Sequence, residues 1–153
     1  LELKLKYHHK GDIKVIYSMA DTKHYIPMPE IPGEKDFNPY YMMLKMDINK
    51  PLYICNHILC IVNYQQDGMT SRVLQSYEEC PVSYAMLREA YLEHQEIPCM
   101  FAYRQCIHYV SSWIFAKRQK KKVNSLWRRK LVWMAVIPGV ILNMWVCWKN
   151  RRH

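Results

Sequence analysis

Cysteine and histidine offer the most chemistry in this chain, and their spacing decides what that chemistry can be. The stretch "CNHILC" sets out Cys55, His57 and Cys60, "CIH" sets out Cys106 and His108, and Cys80 and Cys99 lie between. Zinc takes four nitrogen or sulfur ligands, usually from tightly paired knuckles. No Cys-x2-Cys pair exists here. On a strand, Cys55 and His57 would share a face while Cys60 pointed away; on a helix, Cys106 and His108 diverge. Neither a metal site nor a cofactor is expected. Of the six cysteines, Cys147 falls inside the terminal apolar run, which leaves an odd five. Free buried thiols are therefore expected rather than a disulfide framework.

Nucleophiles and carboxylates are no better arranged. Ser111 and Ser112 lie near His108, but no Gly-x-Ser-x-Gly elbow accompanies them. "YEEC" carries the adjacent pair Glu78 and Glu79, and such a pair at a helix start more often serves capping and the helix dipole. With four glycines in the chain, a phosphate-cradling loop is excluded. No catalytic residues are expected.

Charge is the strongest electrostatic signal. The net charge is +9, and eight of the 22 basic residues crowd into one segment. Lys117, Arg118, Lys120, Lys121 and Lys122 come first, then Arg128, Arg129 and Lys130. Such a run suits RNA or anionic lipid headgroups, cardiolipin among them. No aromatic-basic platform of an RNA-binding module accompanies it, so nucleic acid is the weaker expectation.

The elements that would carry these groups follow from pattern. Residues 1–19 alternate apolar and polar around "HHKGD" and predict a β-hairpin. Residues 20–51 hold five of the eight prolines together with several Tyr, Met and Ile. That composition predicts an extended arm laid on a partner or on the chain's own body. Residues 52–98 read as a small mixed region with a helix near 82–95, ended by Pro98. Residues 99–122 predict an amphipathic helix and the basic run. In that helix Ala102, Cys106, Tyr109, Val110 and Trp113 fall on one half, and Arg104, Gln105, His108, Ser111 and Ser112 on the other. It suits either a core helix or a membrane interface.

Leu131 to Trp148 then runs 18 residues without a charge, a length of roughly 27 Å as a helix. Trp127 and Trp133 mark one end and Trp145 and Trp148 the other, as interfacial aromatics would. The run predicts a transmembrane helix over 131–148. Eight Lys/Arg on its N-terminal side against three beyond it would keep residues 1–130 on the cytosolic or matrix side. Pro138 and Asn143 need polar partners at that depth. Ala135, Gly139 and Asn143, at i, i+4 and i+8, form a small-residue stripe that admits a close neighbouring helix.

The sequence thus predicts a mainly α protein with a small N-terminal β-hairpin, an extended Pro-rich arm, an amphipathic helix and a single C-terminal span. Its expected role is that of a non-catalytic accessory subunit of a multi-protein membrane complex. The expected location is the mitochondrial inner membrane, in a respiratory-chain or ATP-synthase type of assembly, with contacts made through the span and the arm. The alternatives are a tail-anchored adaptor or viral membrane protein, and a membrane-tethered RNA- or ribosome-binding subunit.

Overall fold

Prolines open three of the described helices, and the last proline divides the longest apolar run of the chain. The computed structural model describes residues 15–47, 53, 55, 57, 58, 60, 61, 72–94 and 97–152. Among these residues every regular element is helical. They are α1 (Met19–Thr22) with a 3-10 turn (Lys23–Tyr25), α2 (Tyr40–Asp47), α3 (Val73–Glu79), α4 (Pro81–Glu93), α5 (Cys99–Arg118), α6 (Lys130–Met134) and α7 (Val136–Asn150). Pro39 precedes α2, Pro81 opens α4 and Pro98 precedes α5. At such positions the missing N–H costs little, because first-turn donors have no intrahelical acceptor anyway.

Helix α5 is the centre of the packing. Arg88 lies opposite Gln105 and Tyr91 opposite Phe101, so α4 runs antiparallel to it. Tyr103 reaches Met134, Gly139 lies under Val110, and Arg118 reaches Cys147, so α6 and α7 run parallel to it. The main core joins Ala85 and Leu92 of α4, Ala102, Cys106, Tyr109 and Val110 of α5, and Val132 and Ala135 below them. Leu44 of α2 packs on Leu87 and Ala90. Tyr77 of α3 packs on Phe115 and Val146.

A parallel pair of helices needs a crossover, and residues 119–129 supply it. Lys121 N–H donates to Ala116 O and Lys120 N–H to Lys117 O, the paired bonds of a Schellman cap. Lys120 occupies its left-handed position at φ 57°, where glycine is the usual residue. Tyr109 holds the returning strand of chain: its hydroxyl accepts from Leu126 N–H and donates to Asn124 O.

The N-terminal arm is pinned at one carboxylate. Ile31–Glu34 forms a turn closed by Glu34 N–H on Ile31 O at 3.0 Å, with Gly33 at φ +76°, a backbone conformation that glycine adopts without strain. The turn sends Glu34 to the N-terminus of α4. There its carboxylate accepts from the backbone N–H of Val82 (2.9 Å) and Ser83 (2.8 Å) and from the Ser83 hydroxyl (2.6 Å). Lys121 completes the site at 3.2 Å. A negative charge at unsatisfied helix donors is favourable on both counts.

Three expectations are corrected. The hairpin over 1–19 falls largely on residues 1–14, outside the described residues; among the described residues no strand appears. Ser18 instead caps α1, its hydroxyl accepting from Asp21 N–H, and this side-chain cap outweighs the alternation that suggested a strand. The arm over 20–51 is not extended throughout, because Tyr40–Asp47 contains no proline and forms α2.

The third correction concerns the single-pass span over 131–148, and with it the integral-membrane placement and the matrix-side orientation of 1–130. Among the described residues no helix is long and apolar enough to cross a membrane. Pro138 cannot donate to Met134 O, and its ring would crowd that carbonyl. The helix therefore breaks at Ala135, which leaves a five-residue α6 and a 15-residue α7. A span needs about 20 residues. Pro138 falls in the first turn of α7, and the freed Met134 carbonyl accepts from the Tyr103 hydroxyl at 3.3 Å.

The close approach of α5 and α7 rests on Gly139. A Cβ there would lie 2.6 Å from Val110 Cβ, 2.7 Å from Val110 Cγ1 and 3.1 Å from the Ile107 carbonyl. Val110 is buried and β-branched, so it has little room to turn aside. Gly139→Ala is expected to destabilise the fold by about 1–3 kcal/mol in urea denaturation. Ile141→Ala, on the exposed side of the same helix, should stay within about 0.5 kcal/mol of the parent.

Candidate functional site

The buried side of α5 carries more polar groups than its sequence pattern suggests. Gln105, Ser111 and Ser112 are buried rather than solvent-facing, because α5 is covered by α4 on one side and α7 on the other. Arg88 donates to Gln105 Oε1 at 3.0 Å, while its Nε is buried with no partner among the described residues. Burial pulls its guanidinium below the usual arginine range. Tyr77 donates its hydroxyl proton to His108 O at 2.7 Å, and His108 Nδ1 lies 3.4 Å from the Tyr77 hydroxyl oxygen. Both contacts are satisfied when Nδ1 carries the ring proton.

Burial, with Arg88 and Arg104 nearby, holds His108 down at about 4. Burial raises Tyr77, and Ser112, Arg88 and Ser111 draw it partly back. The Ser111 and Ser112 hydroxyls are sealed from solvent and complete no hydrogen bond of ordinary geometry among the described residues. A tyrosine whose proton is committed to a carbonyl, beside serines without access to substrate, makes a poor acid-base or nucleophilic site. The cluster ties α3 and α4 to α5.

Among the described residues the remaining reactive side chains are dispersed. Cys55, His57 and Cys60 are exposed, Cys80 and Cys106 are buried in different parts of the core, and Cys99 is exposed at the start of α5. Burial raises the Cys106 thiol, which leaves it less nucleophilic. Among the described residues no group of three potential metal ligands comes together. A shallow cleft lined by Gln75, Glu78, Glu79, Gln119 and Asn150 has its polar atoms turned to one another. Asn150 donates to Glu78 at 2.7 Å, Gln75 to Glu79 at 2.7 Å, and Gln119 to the Glu78 carbonyl at 2.7 Å.

Helix α7 is different, because its two sides face different surroundings. The inner side carries the small-residue stripe, and the helix it meets is α5 of the same chain. Ala135 and Gly139 are buried against α5, and Asn143, 1% exposed, donates Nδ2–H to the Ser111 carbonyl at 3.2 Å. Pro138 is half-buried beside them. The outer side carries Ile137, Val140, Ile141, Met144, Trp145 and Trp148, all exposed, and Trp133 and Met134 of α6 extend it. At about 100° per residue the six positions of α7 fall within roughly 140° of arc. No polar side chain interrupts them.

The tryptophans and the basic residues frame this face. Trp113, Trp127 and Trp133 form a ladder with ring centroids 5.3 and 5.2 Å apart, and Trp133 Nε1 donates to Trp127 O. Lys117 sits over Trp113, Lys149 over Trp145 and Arg152 over Trp148, the last at 3.8 Å. The basic run divides. Lys121 turns to Glu34 and Arg129 donates to Leu92 O, while Arg118 lies over Phe115 and reaches Cys147 Sγ. Lys120, Lys122, Arg128 and Lys130 are exposed.

Sequence reasoning marked Trp133, Trp145 and Trp148 but missed the aliphatic and methionine members of the outer face. In a run where nearly every residue is apolar, the only marks of sidedness are Ala135, Gly139 and Asn143, which identify the inner face and so, by elimination, the outer one. No family model, no curated protein and no solved structure matches this chain.

The depressed His108 pKa carries a sign for stability. Above pH 6.5 the ring is neutral in both folded and unfolded chains, and its contribution is fully present. As the pH falls from 6.5 towards about 4, the unfolded chain takes up a proton that the folded one refuses, and stability drops. Urea midpoints measured between pH 7 and 5 should fall more steeply for the parent than for His108→Asn. Equal slopes would show that His108 titrates freely in the fold.

Proposed function

We propose that this chain is a non-catalytic accessory subunit of a larger assembly, which it joins through the outer face of α7. One observation carries the reading: a continuous apolar face of isoleucine, valine, methionine and tryptophan stands on the outside of a helix whose inner face seals the core. Contiguous exposed apolar surface of this kind marks interaction sites in folded proteins. The face is not needed for the fold, since Gly139, Asn143 and Val146 already occupy the opposite side.

Against this, the polar groups best able to do chemistry are committed inside the helix packing. Tyr77 donates to the His108 carbonyl of α5 and Arg88 to Gln105 of the same helix, and Ser111 and Ser112 are fully buried. RNA binding is less well supported than docking, because a nucleic-acid backbone is matched by cations along its length. On α6 and α7 no cation stands between Lys130 and Lys149.

Isolated under non-denaturing conditions from cells that make it, the chain should elute well above its own mass of 18.5 kDa together with other components. The triple variant Ile137→Gln, Ile141→Gln, Met144→Gln should elute at the size of a lone, folded chain, with an unchanged circular dichroism spectrum. Parent protein that elutes alone would refute the subunit reading.

A further inference from the structure

We infer that the outer face of α7 docks onto an anionic bilayer surface, lying in the plane of the headgroups without crossing them. This rests on the docking reading above and deepens it: the assembly is one held at a lipid surface, and that surface is what the outer face of α7 meets.

The charges argue for it first. Lys130, with Arg128 beside it, stands at one end of the face, and Arg151 and Arg152 at the other, all exposed. Arg118, held at Cys147, adds a further cation beside the second end. A second copy of the chain fits badly. Antiparallel pairing across this face would set Lys130 of one copy against Arg151 and Arg152 of the other, and parallel pairing would set like on like. With a net charge of +9 the chain repels itself. Phosphate-bearing lipid meets cations at both ends at once, at the level where basic side chains are most useful.

The aromatic residues argue for it independently. Tryptophan stands at both ends of the face: Trp133, stacked on Trp127 with centroids 5.2 Å apart, marks one end, and at the far end Lys149 lies over Trp145 at 5.3 Å and Arg152 over Trp148 at 3.8 Å. An indole has an apolar body and a polar N–H, and a cation on a long stem reaches water from a buried base; both side chains suit the boundary between headgroup and acyl chain. Between these ends lie Ile137, Ile141 and Met144, exposed by 74%, 61% and 63%. They stand on the side of α7 turned away from α5. A fluid acyl layer accommodates such a surface, and a helix with one apolar side and basic flanks penetrates it by about 5–10 Å.

Sedimentation of the full chain with large unilamellar vesicles tests this, with tryptophan emission as a second readout. Vesicles of phosphatidylcholine with about 30% phosphatidylglycerol should bind the chain and shift its emission to the blue, and phosphatidylcholine alone should bind it at least tenfold more weakly. Arg151→Gln and Arg152→Gln should each weaken binding roughly fivefold, and raised salt should weaken it further. Ile141→Gln with Met144→Gln should abolish the blue shift; these side chains are exposed, so the variants keep the parent's circular dichroism.

No binding to either vesicle, or equal binding to both, overturns the inference. So does a blue shift reproduced by added RNA, or one that appears with protein concentration in the absence of lipid. If the chain fails here yet still elutes within a large assembly that the α7 variant leaves, the subunit reading survives and the partner is a protein. If it binds vesicles yet elutes alone from the cell extract, the subunit reading falls and the lipid surface stands.

Discussion

The helical core around α5 leans on the approach of α7 to α5 at Gly139. With no Cβ in the way, Val110 and the Ile107 carbonyl come within van der Waals reach of the α7 backbone. Asn143, one turn further, then reaches the Ser111 carbonyl, which gives a buried amide a partner. Val146 continues the contact to Phe115 and Tyr77. That contact ties in α3, while α5 holds α4 through Arg88 and Gln105 and through the Ala85 and Cys106 core. A larger residue at 139 would push α7 outward and loosen each of these contacts in turn.

The same approach explains why an 18-residue apolar run behaves as two helices with two unlike sides. Hydropathy along the chain counts residues and ignores direction. Pro138 interrupts the hydrogen-bond ladder at Met134, Tyr103 satisfies the freed carbonyl, and α7 restarts in register with α5. The inner side then behaves as soluble core does, sealing small residues against a partner helix. The outer side keeps its isoleucines, methionines and tryptophans, and their exposure is the structural basis for docking.

Legibility in the sequence varied with the range of the interactions involved. Helix α4 was readable from Pro81 and Pro98, and α5 from its apolar periodicity, because both signals are local. The stripe of Ala135, Gly139 and Asn143 was readable as a close-approach surface, though not that its neighbour lay about 30 residues earlier in the same chain. Gln105, Ser111 and Ser112 looked solvent-facing, since periodicity assumes one buried face and α5 has two. Glu34 could not be read at all. Its turn is written in "IPGE", but the helix end it caps lies 48 residues away and its lysine 87. The apolar docking face was hidden for another reason: a uniformly apolar segment carries no contrast from which to read orientation.

The central claim is that the terminal apolar run forms a one-sided helix, packed inside and open outside. Hydroxyl-radical footprinting of the purified chain in lipid-free buffer tests it without substitution, because tryptophan and methionine are intrinsically reactive and mark the outer face. Trp133, Met134, Met144, Trp145 and Trp148 are 65%, 66%, 63%, 45% and 50% exposed, whereas Met46 and Tyr109 are 5% and 0% exposed. The first five should oxidise at close to their rates in the urea-unfolded chain, and the last two far more slowly. Uniform protection from Trp133 to Trp148, at the level of Met46, would contradict the account.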